Sequence, residues 1–249
     1  MSARLYLGDC LEIMPTLKEN SVDMILCDLP YGITSNKWDA VIPFDELWKQ
    51  YEAVCKSNAV IALFASQPFS SALVMSNPKM FRHEWIWIKN RGGNFANTVR
   101  EPMKEHEHIL IFSKGKWTYN KQMQQRTGGG ADRVKYALDN RKAKSSNYRK
   151  FDKANKNQGE LRVPSSWQKF NVEVGYHPTQ KPVDLLEYLI KTYTDEGDVV
   201  LDNCMGSGST GVACKNLNRD FVGIELDRNY YEIAKERIYG TDRETDSEE

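Results

Sequence analysis

Short apolar runs alternate with amphipathic segments along most of the 249-residue chain. Short apolar runs predict buried strands, and apolar residues repeated every three or four positions predict helices. The predicted strands cover residues 5–7, 22–27, 59–64, 84–88, 108–112, 199–201 and 221–224, and the predicted helices lie near residues 10–17, 45–55, 69–75, 183–192, 210–217 and 230–238. Strands that alternate with helices predict an α/β fold with a Rossmann-like, doubly wound, mostly parallel sheet.

Acidic residues follow four of the predicted strands. They are Asp9, Asp28, Asp202 and Glu225. In open α/β sheets, ligands bind outside the carboxyl ends of the strands. Four carboxylates in such positions are more than chance solvation predicts, so we expect them to belong to a binding site.

Between residues 113 and 170 the α/β pattern stops, and fifteen Lys and Arg residues face only four acidic ones. This stretch has few aliphatic residues and cannot bury much apolar surface. It is either a solvated insertion or a nucleic-acid contact surface, because basic clusters neutralise phosphates. We therefore predict one α/β domain from residues 1–113 and 171–239, a basic insertion at 114–170, and a disordered acidic tail at 240–249.

The composition fits this division, since 40% hydrophobic and 27% charged residues suit one large globular domain with an insertion. The five cysteines are scattered without a C-x-x-C pair, and no signal peptide precedes them, which predicts a reducing, cytoplasmic setting. The longest apolar run, residues 59–65, is far shorter than the roughly 20 residues that cross a bilayer. We expect no membrane span.

The densest motif is the stretch Asp-Asn-Cys-Met-Gly-Ser-Gly-Ser-Thr-Gly at residues 202–211, which follows a predicted strand and opens a predicted helix. Its glycines match G-x-G-x-x-G, and Glu225 ends the next strand, which is typical of a nucleotide site with an acid for ribose hydroxyls. The motif alone leaves a dinucleotide and another adenosine cofactor open. The carboxylate of Asp202 favours the cationic S-adenosylmethionine over a pyrophosphate.

Three motifs resemble those of the amino-group DNA methyltransferases that use S-adenosylmethionine. Asp28-Leu29-Pro30-Tyr31 is similar to the family's catalytic D-P-P-Y, and residues 202–210 are similar to its cofactor loop D-P-F-x-G-S-G-T-T. Residues 177–182 read H-P-T-Q-K-P, a segment that precedes this loop in the permuted β class. The order of the motifs is also that of the β class, so the resemblance implies a circularly permuted class I methyltransferase fold.

The resemblance implies specific residue roles. The catalytic residues would be Asp28, Leu29, Pro30 and Tyr31: the Asp28 carboxylate and the Leu29 carbonyl would accept the two amino hydrogens of the target base, and Tyr31 would stack on that base after it is flipped out of the duplex. Leucine replaces the first proline of the motif but keeps its carbonyl. The cofactor-binding residues would be Asp9, His177, Thr179, Lys181, Asp202, Gly206, Ser207, Gly208, Ser209, Thr210 and Glu225. Asp9 is equally well explained as a helix N-cap.

The expected reaction is methylation of the N6 amino group of adenine in double-stranded DNA, with residues 114–170 as the target-recognition region. Asp28 favours adenine, because cytosine-N4 members of the family usually carry serine there; a cytosine-N4 methyltransferase stays open, as does a nicotinamide-dependent oxidoreductase. Cytosine C5 methylation is disfavoured because it needs a thiolate, usually in a Pro-Cys pair, and no proline here precedes a cysteine. His106 and His108 lack an apparent third ligand, so we expect no metal. The protein is expected to act as a monomer or a homodimer.

Overall fold

The structure is a computed structural model that describes residues 1–32, 40–126, 160–176 and 180–240. Every predicted strand and helix is present. The strands are β1 Ala3–Leu7, β2 Val22–Asp28, β3 Cys55–Ala65, β4 Phe81–Gly93, β5 Lys104–Phe112, β6 Gln124–Gln125, β7 Leu161–Arg162, β8 Trp167–Lys169, β9 Val199–Asp202 and β10 Asp220–Glu225. The α-helices are α1 Cys10–Ile13, α2 Phe44–Val54, α3 Phe69–Ser76, α4 Val183–Tyr193, α5 Ser209–Asn216 and α6 Arg228–Tyr239.

Eight strands form one sheet in the order β1-β10-β9-β2-β3-β5-β4-β8. Five of its pairings are parallel, whereas β5 runs antiparallel to both β3 and β4. The predicted mostly parallel sheet is therefore correct. Because β5 is antiparallel, its first residues lie beside the last residues of β3, as the pairing of Ala65 with His108 shows. The sheet edge at the carboxyl ends of the parallel strands thus also receives the start of β5.

The core lies on both faces of the sheet, and neighbouring residues of a strand point into opposite layers. Ile25 and Cys27 of β2 join the layer that contains helix residues such as Leu47, whereas Met24 and Leu26 join the layer that contains residues such as Leu189. Strands that are covered on both faces have continuous apolar sequences, because neither face meets water. This explains why the buried strands were visible as unbroken apolar runs.

The chain divides into two compact units, Met1–Asn120 with Ser166–Glu249, and Lys121–Ser165. The second unit is narrower than the predicted insertion 114–170, because β8 pairs with β4 in the large sheet. Within the second unit, β6 pairs with β7. Residues 127–159 of the predicted insertion and 241–249 of the predicted tail lie outside the described residues. In the part of the chain that is described, no helix has the length and apolar content to cross a membrane.

Helix α5 packs closely on α6 because glycine stands at the contact. A Cβ atom placed on Gly211 would lie 2.3 Å from Cδ1 of Ile238 and 2.8 Å from Cε1 of Phe221. These distances leave no room for a methyl group. The last glycine of the G-x-G-x-x-G motif therefore serves helix packing.

We expect Gly211→Ala to lower the free energy of unfolding by about 1–3 kcal/mol, because overpacking at this contact outweighs the higher helix propensity of alanine. The measurement is urea unfolding followed by circular dichroism. Gly93→Ala is the matched control, since a Cβ there meets no atom within 4 Å. A Gly211→Ala protein as stable as the control would contradict this account of the packing.

Candidate active site

A cavity of about 600 Å³ opens at the carboxyl edge of the parallel strands. Its lining includes all four carboxylates that follow predicted strands, Asp9, Asp28, Asp202 and Glu225. Parallel pairing explains their proximity, because Leu7 pairs with Glu225 and Gly223 pairs with Asp202. The structure thus brings together residues from both ends of the sequence.

The loop between β9 and α5 forms one wall of the cavity through Gly206 and Ser207. Glu225 holds this loop, because its Oε2 accepts a hydrogen bond of 2.8 Å from the backbone N–H of Gly206. Its Oε1 accepts another, also of 2.8 Å, from the N–H of Asp227. Burial raises the pKa of Glu225 despite these donors. Glu225 therefore both lines the cavity and fixes the glycine loop by a hydrogen bond.

Asp202 lies at the end of β9 with only 4% of its surface exposed. Its Oδ2 accepts a hydrogen bond of 2.6 Å from the hydroxyl of Thr210, and its Oδ1 accepts one of 3.2 Å from the N–H of Cys204. Burial raises the pKa of Asp202 to about 7, although these donors oppose the shift. Both donors are neutral, so the carboxylate has a strong preference for a cationic ligand when the cavity is filled.

Arg237 of α6 holds the start of α5 from outside the cavity. Its Nη1 donates to the carbonyl oxygen of Ser207 at 2.6 Å, to the Ser207 hydroxyl at 3.0 Å and to the Ser209 hydroxyl at 3.2 Å. Gly208 between them adopts a left-handed conformation with φ of 78° and packs against Ala234. The sequence motif contained the serines and the glycine but gave no sign of the arginine that fixes them.

The remaining predicted cofactor residues have different positions. Asp9 lines the cavity and also caps α1, because its Oδ1 accepts a hydrogen bond of 2.8 Å from the N–H of Leu11. Both interpretations of Asp9 therefore agree with its position. His177 and Thr179 lie outside the described residues.

Asp28, which also lines the cavity, is contacted on both carboxylate oxygens. Oδ1 accepts a hydrogen bond of 2.7 Å from the hydroxyl of Tyr31, and Oδ2 accepts one from the ammonium of Lys181. The Tyr31 ring stacks on Phe69 with centroids 4.9 Å apart, and burial together with the Asp28 charge raises the pKa of Tyr31. Leu29 is buried, with 3% exposure. Asp28 and Tyr31 thus form a single hydrogen-bonded unit at the cavity wall.

Lys181 belongs to a chain of alternating charges. Its ammonium contacts Asp28 and lies 3.5 Å from Oε2 of Glu107, and Oε1 of Glu107 lies 2.5 Å from Nζ of Lys89. Burial opposes ionisation of Lys181, but the charges of Asp28 and Glu107 outweigh it and raise the pKa of the ammonium. Burial likewise opposes ionisation of Glu107, and the two lysines nevertheless lower its pKa. Lys181 and Glu107 therefore both stay charged near neutral pH.

Glu107 was not predicted as a site residue, because it stands near the start of the antiparallel strand β5, whereas the predicted carboxylates follow the ends of strands. The neighbouring His106 also lines the cavity. His108 has a different role, since its Nδ1 lies 2.8 Å from Oε2 of Glu84 on the adjacent strand. No three potential metal ligands cluster among residues 1–32, 40–126, 160–176 and 180–240.

The sequence profile of a family of DNA methylases matches residues 22–236. The type II methyltransferase M.HpaI of Haemophilus parainfluenzae is 30% identical over 258 residues, which cover 96% of this chain and 74% of that protein. The type II methyltransferase M1.MboII of Moraxella bovis is 28% identical over 250 residues, covering 93% of this chain and 94% of that protein.

Solved structures agree with these sequence matches. The complex of M1.HpyAVI with SAM superposes with a TM-score of 0.64 and 27% identity, covering 94% of this chain and 99% of that one. The cytosine-N4-specific PvuII DNA methyltransferase has a TM-score of 0.69 at 14% identity, covering 95% and 86% of the two chains, and therefore supports the fold alone. The comparisons confirm the predicted fold class and the family resemblance.

The raised pKa of Asp202 predicts how stability depends on pH. Between about pH 4 and pH 7 the native carboxyl holds a proton that the unfolded chain has lost, so the free energy of unfolding falls as the pH rises through this window. Asp202→Asn removes this dependence. We expect the variant to gain on the order of 2–4 kcal/mol relative to the unaltered protein between pH 4 and pH 7, measured by urea unfolding without added ligand. The exposed Asp45→Asn is the control, and parallel pH curves for all three proteins would contradict the prediction.

Proposed function

Because the chain belongs to the family of S-adenosylmethionine-dependent DNA amino-methyltransferases, we propose that it methylates the N6 amino group of adenine at a specific site in double-stranded DNA. The observation that carries this proposal is that Asp28, Leu29 and Tyr31 line the same cavity as the glycine loop. The target base would enter after it is flipped out of the duplex, because an amino group inside the base stack cannot reach the cavity. Family membership disfavours the nicotinamide-dependent alternative.

Asp28 and the adjoining Leu29 suit the chemistry of an exocyclic amino group. Such a nitrogen is a poor nucleophile, because its lone pair is delocalised into the ring. Two hydrogen-bond acceptors would make it more tetrahedral and direct its lone pair; these are the Asp28 carboxylate and the backbone carbonyl of Leu29. Each carboxylate oxygen has more than one acceptor position, so contacts with Tyr31 and Lys181 leave Asp28 able to accept a further hydrogen bond.

The lining around the glycine loop fits S-adenosylmethionine, which supplies an electrophilic methyl group when it is bound. Asp202 is a buried carboxylate with neutral donors only, and it favours the positive charge of this molecule. Glu225 lies beside the glycine loop at the strand end where this type of site places an acid for ribose hydroxyls. Asp9, Gly206, Ser207, Ser209 and Thr210 complete the proposed binding wall.

The family resemblance implies that Lys181 binds the cofactor, but its contacts favour a different role. The ammonium is bound between Asp28 and Glu107, and it is 9% exposed. We assign Lys181 as a positioning residue that fixes the Asp28 carboxylate, with Glu107 holding Lys181 in place. A fixed acceptor matters because small errors in orientation are costly for group transfer.

Asp28 favours adenine over cytosine as the target base, because the cytosine-N4 members of the family usually carry serine at this position. The basic insertion at 114–170 is proposed to read the DNA sequence around the target. Its fifteen basic residues would neutralise phosphates, which predicts binding that weakens steeply with salt.

The decisive experiment incubates the purified protein with radiolabelled S-adenosylmethionine and duplex DNA of varied sequence, followed by mass spectrometry of the nucleosides. We expect N6-methyladenine. Asp28→Asn should lower the rate by about a hundredfold or more with little effect on S-adenosylmethionine binding, because it weakens an acceptor that is proposed to contact the base and not the cofactor. Asp23→Asn, at the opposite end of β2, is the matched control. N4-methylcytosine would establish the alternative base, and unlabelled DNA without cofactor binding would refute the proposal.

A second comparison separates the two roles of Lys181. If it positions Asp28, Lys181→Met should lower kcat by about tenfold or more and leave the dissociation constant of S-adenosylmethionine within about threefold. Lys181→Arg, which keeps the charge, should recover part of the loss. Lys56→Met is the control, because this lysine forms an ion pair with Asp23 away from the cavity. A selective loss of affinity for S-adenosylmethionine would instead support a direct role of Lys181 in binding the cofactor.

A further inference from the structure

The hairpin formed by β4 and β5 ends in a tightly bonded tip at residues 94–103. Asn94 adopts a left-handed conformation with φ of 51°; its Oδ1 accepts a hydrogen bond of 2.9 Å from the N–H of Lys104, and its Nδ2 donates one of 2.9 Å to Glu101. A short 3₁₀ helix, Phe95–Asn97, follows, and the hydroxyl of Thr98 donates to the Phe95 carbonyl at 2.8 Å. These bonds give the tip a defined shape.

The tip presents two large apolar side chains to solvent. Phe95 is 80% exposed and Val99 is 90% exposed, the highest values for large apolar residues in the described part of the chain. They are four positions apart within the hydrogen-bonded tip. Single exposed apolar residues are common, but two large ones in one short tip make it a candidate contact surface.

The tip adjoins the cavity that contains Asp28. Gly93, Asn94 and Lys104, at the base of the tip, all line this cavity. The hairpin reaches this position because β5 begins at the same sheet edge at which β2 ends. A base that enters the cavity from a duplex would therefore leave its stack close to this tip.

The charges around the tip suit DNA. Three exposed basic residues, Arg91, Arg100 and Lys104, lie between positions 90 and 104. The one acidic residue in this range, Glu101, is already bonded to Asn94. The faces of DNA bases are apolar and the DNA backbone is anionic, so an exposed apolar pair with basic residues nearby is complementary to a duplex. An apolar surface of another protein would form no favourable contact with these basic residues.

We propose that Phe95 and Val99 form a wedge that enters the base stack of DNA beside the flipped target base. The inference rests on the proposed function and adds the element that separates the target from its neighbours. Opening a base step costs a few kcal/mol, and an apolar side chain that fills the gap offsets part of this cost. The wedge matters most where the target is well paired and stacked.

The test compares two duplexes that contain the site methylated by the unaltered protein, one fully paired and one with an abasic position opposite the target. The double variant Phe95→Ala, Val99→Ala should lose about tenfold or more of its methylation rate on the paired duplex and stay within about threefold of normal on the abasic duplex, where flipping costs little. Phe95→Trp should retain most of the rate. Met75→Ala, at a 72% exposed position on α3, is the matched control.

Each outcome has a clear meaning. Rescue on the abasic duplex, with unchanged melting temperature and cofactor binding, supports the wedge. A rate equal to that of the unaltered protein on both duplexes refutes it and leaves the tip available to a protein partner. An equal loss on both duplexes also refutes it and assigns the tip to general DNA docking. If the unaltered protein methylates no DNA, the proposed function fails and the wedge fails with it.

Discussion

The pairing of Asp28 with Lys181 is the contact on which the arrangement of the site depends. The two residues are 153 positions apart, and Glu107 and Lys89 extend the pairing to the two strands of the β4–β5 hairpin. Partly buried charges are tolerated only when partners compensate them, so loss of one member leaves its neighbours with an uncompensated charge. The end of β2, the start of β5 and the segment before α4 are thereby held at one point.

Two carboxylates that line the cavity have different electrostatic surroundings. The Asp28 carboxylate is paired with Lys181, whereas Asp202 has neutral donors and a pKa raised by burial. A neutral nucleobase suits the first environment, and a cationic methyl donor suits the second. This difference agrees with the proposed reaction, in which a neutral base and a cationic methyl donor bind in the same cavity.

Much of the fold, and several of the residues that line the cavity, could be predicted from local sequence signals. Buried strands appear as apolar runs, and the glycine loop has a spacing that is set by local backbone geometry and helix packing. Glu107 and Arg237 could not be predicted from the sequence, because their roles arise from contacts with residues that are distant in sequence. Glu107 reaches Lys181 because β5 is antiparallel and begins at this sheet edge, and Arg237 of α6 reaches Ser207 beside α5. Neither strand direction nor helix packing is encoded in a short motif.

Leu29 illustrates how packing can replace a motif residue. The family motif it resembles has proline at this position, and a proline ring restricts the backbone. In this chain the Leu29 side chain is 3% exposed and belongs to the same core layer as Ile25 and Cys27, so the alternation of β2 continues beyond its last residue. Burial anchors the side chain, and Pro30 restricts the backbone of Leu29 to extended conformations. The carbonyl that the proposed chemistry requires is thereby held by the core on one side and by the following proline on the other.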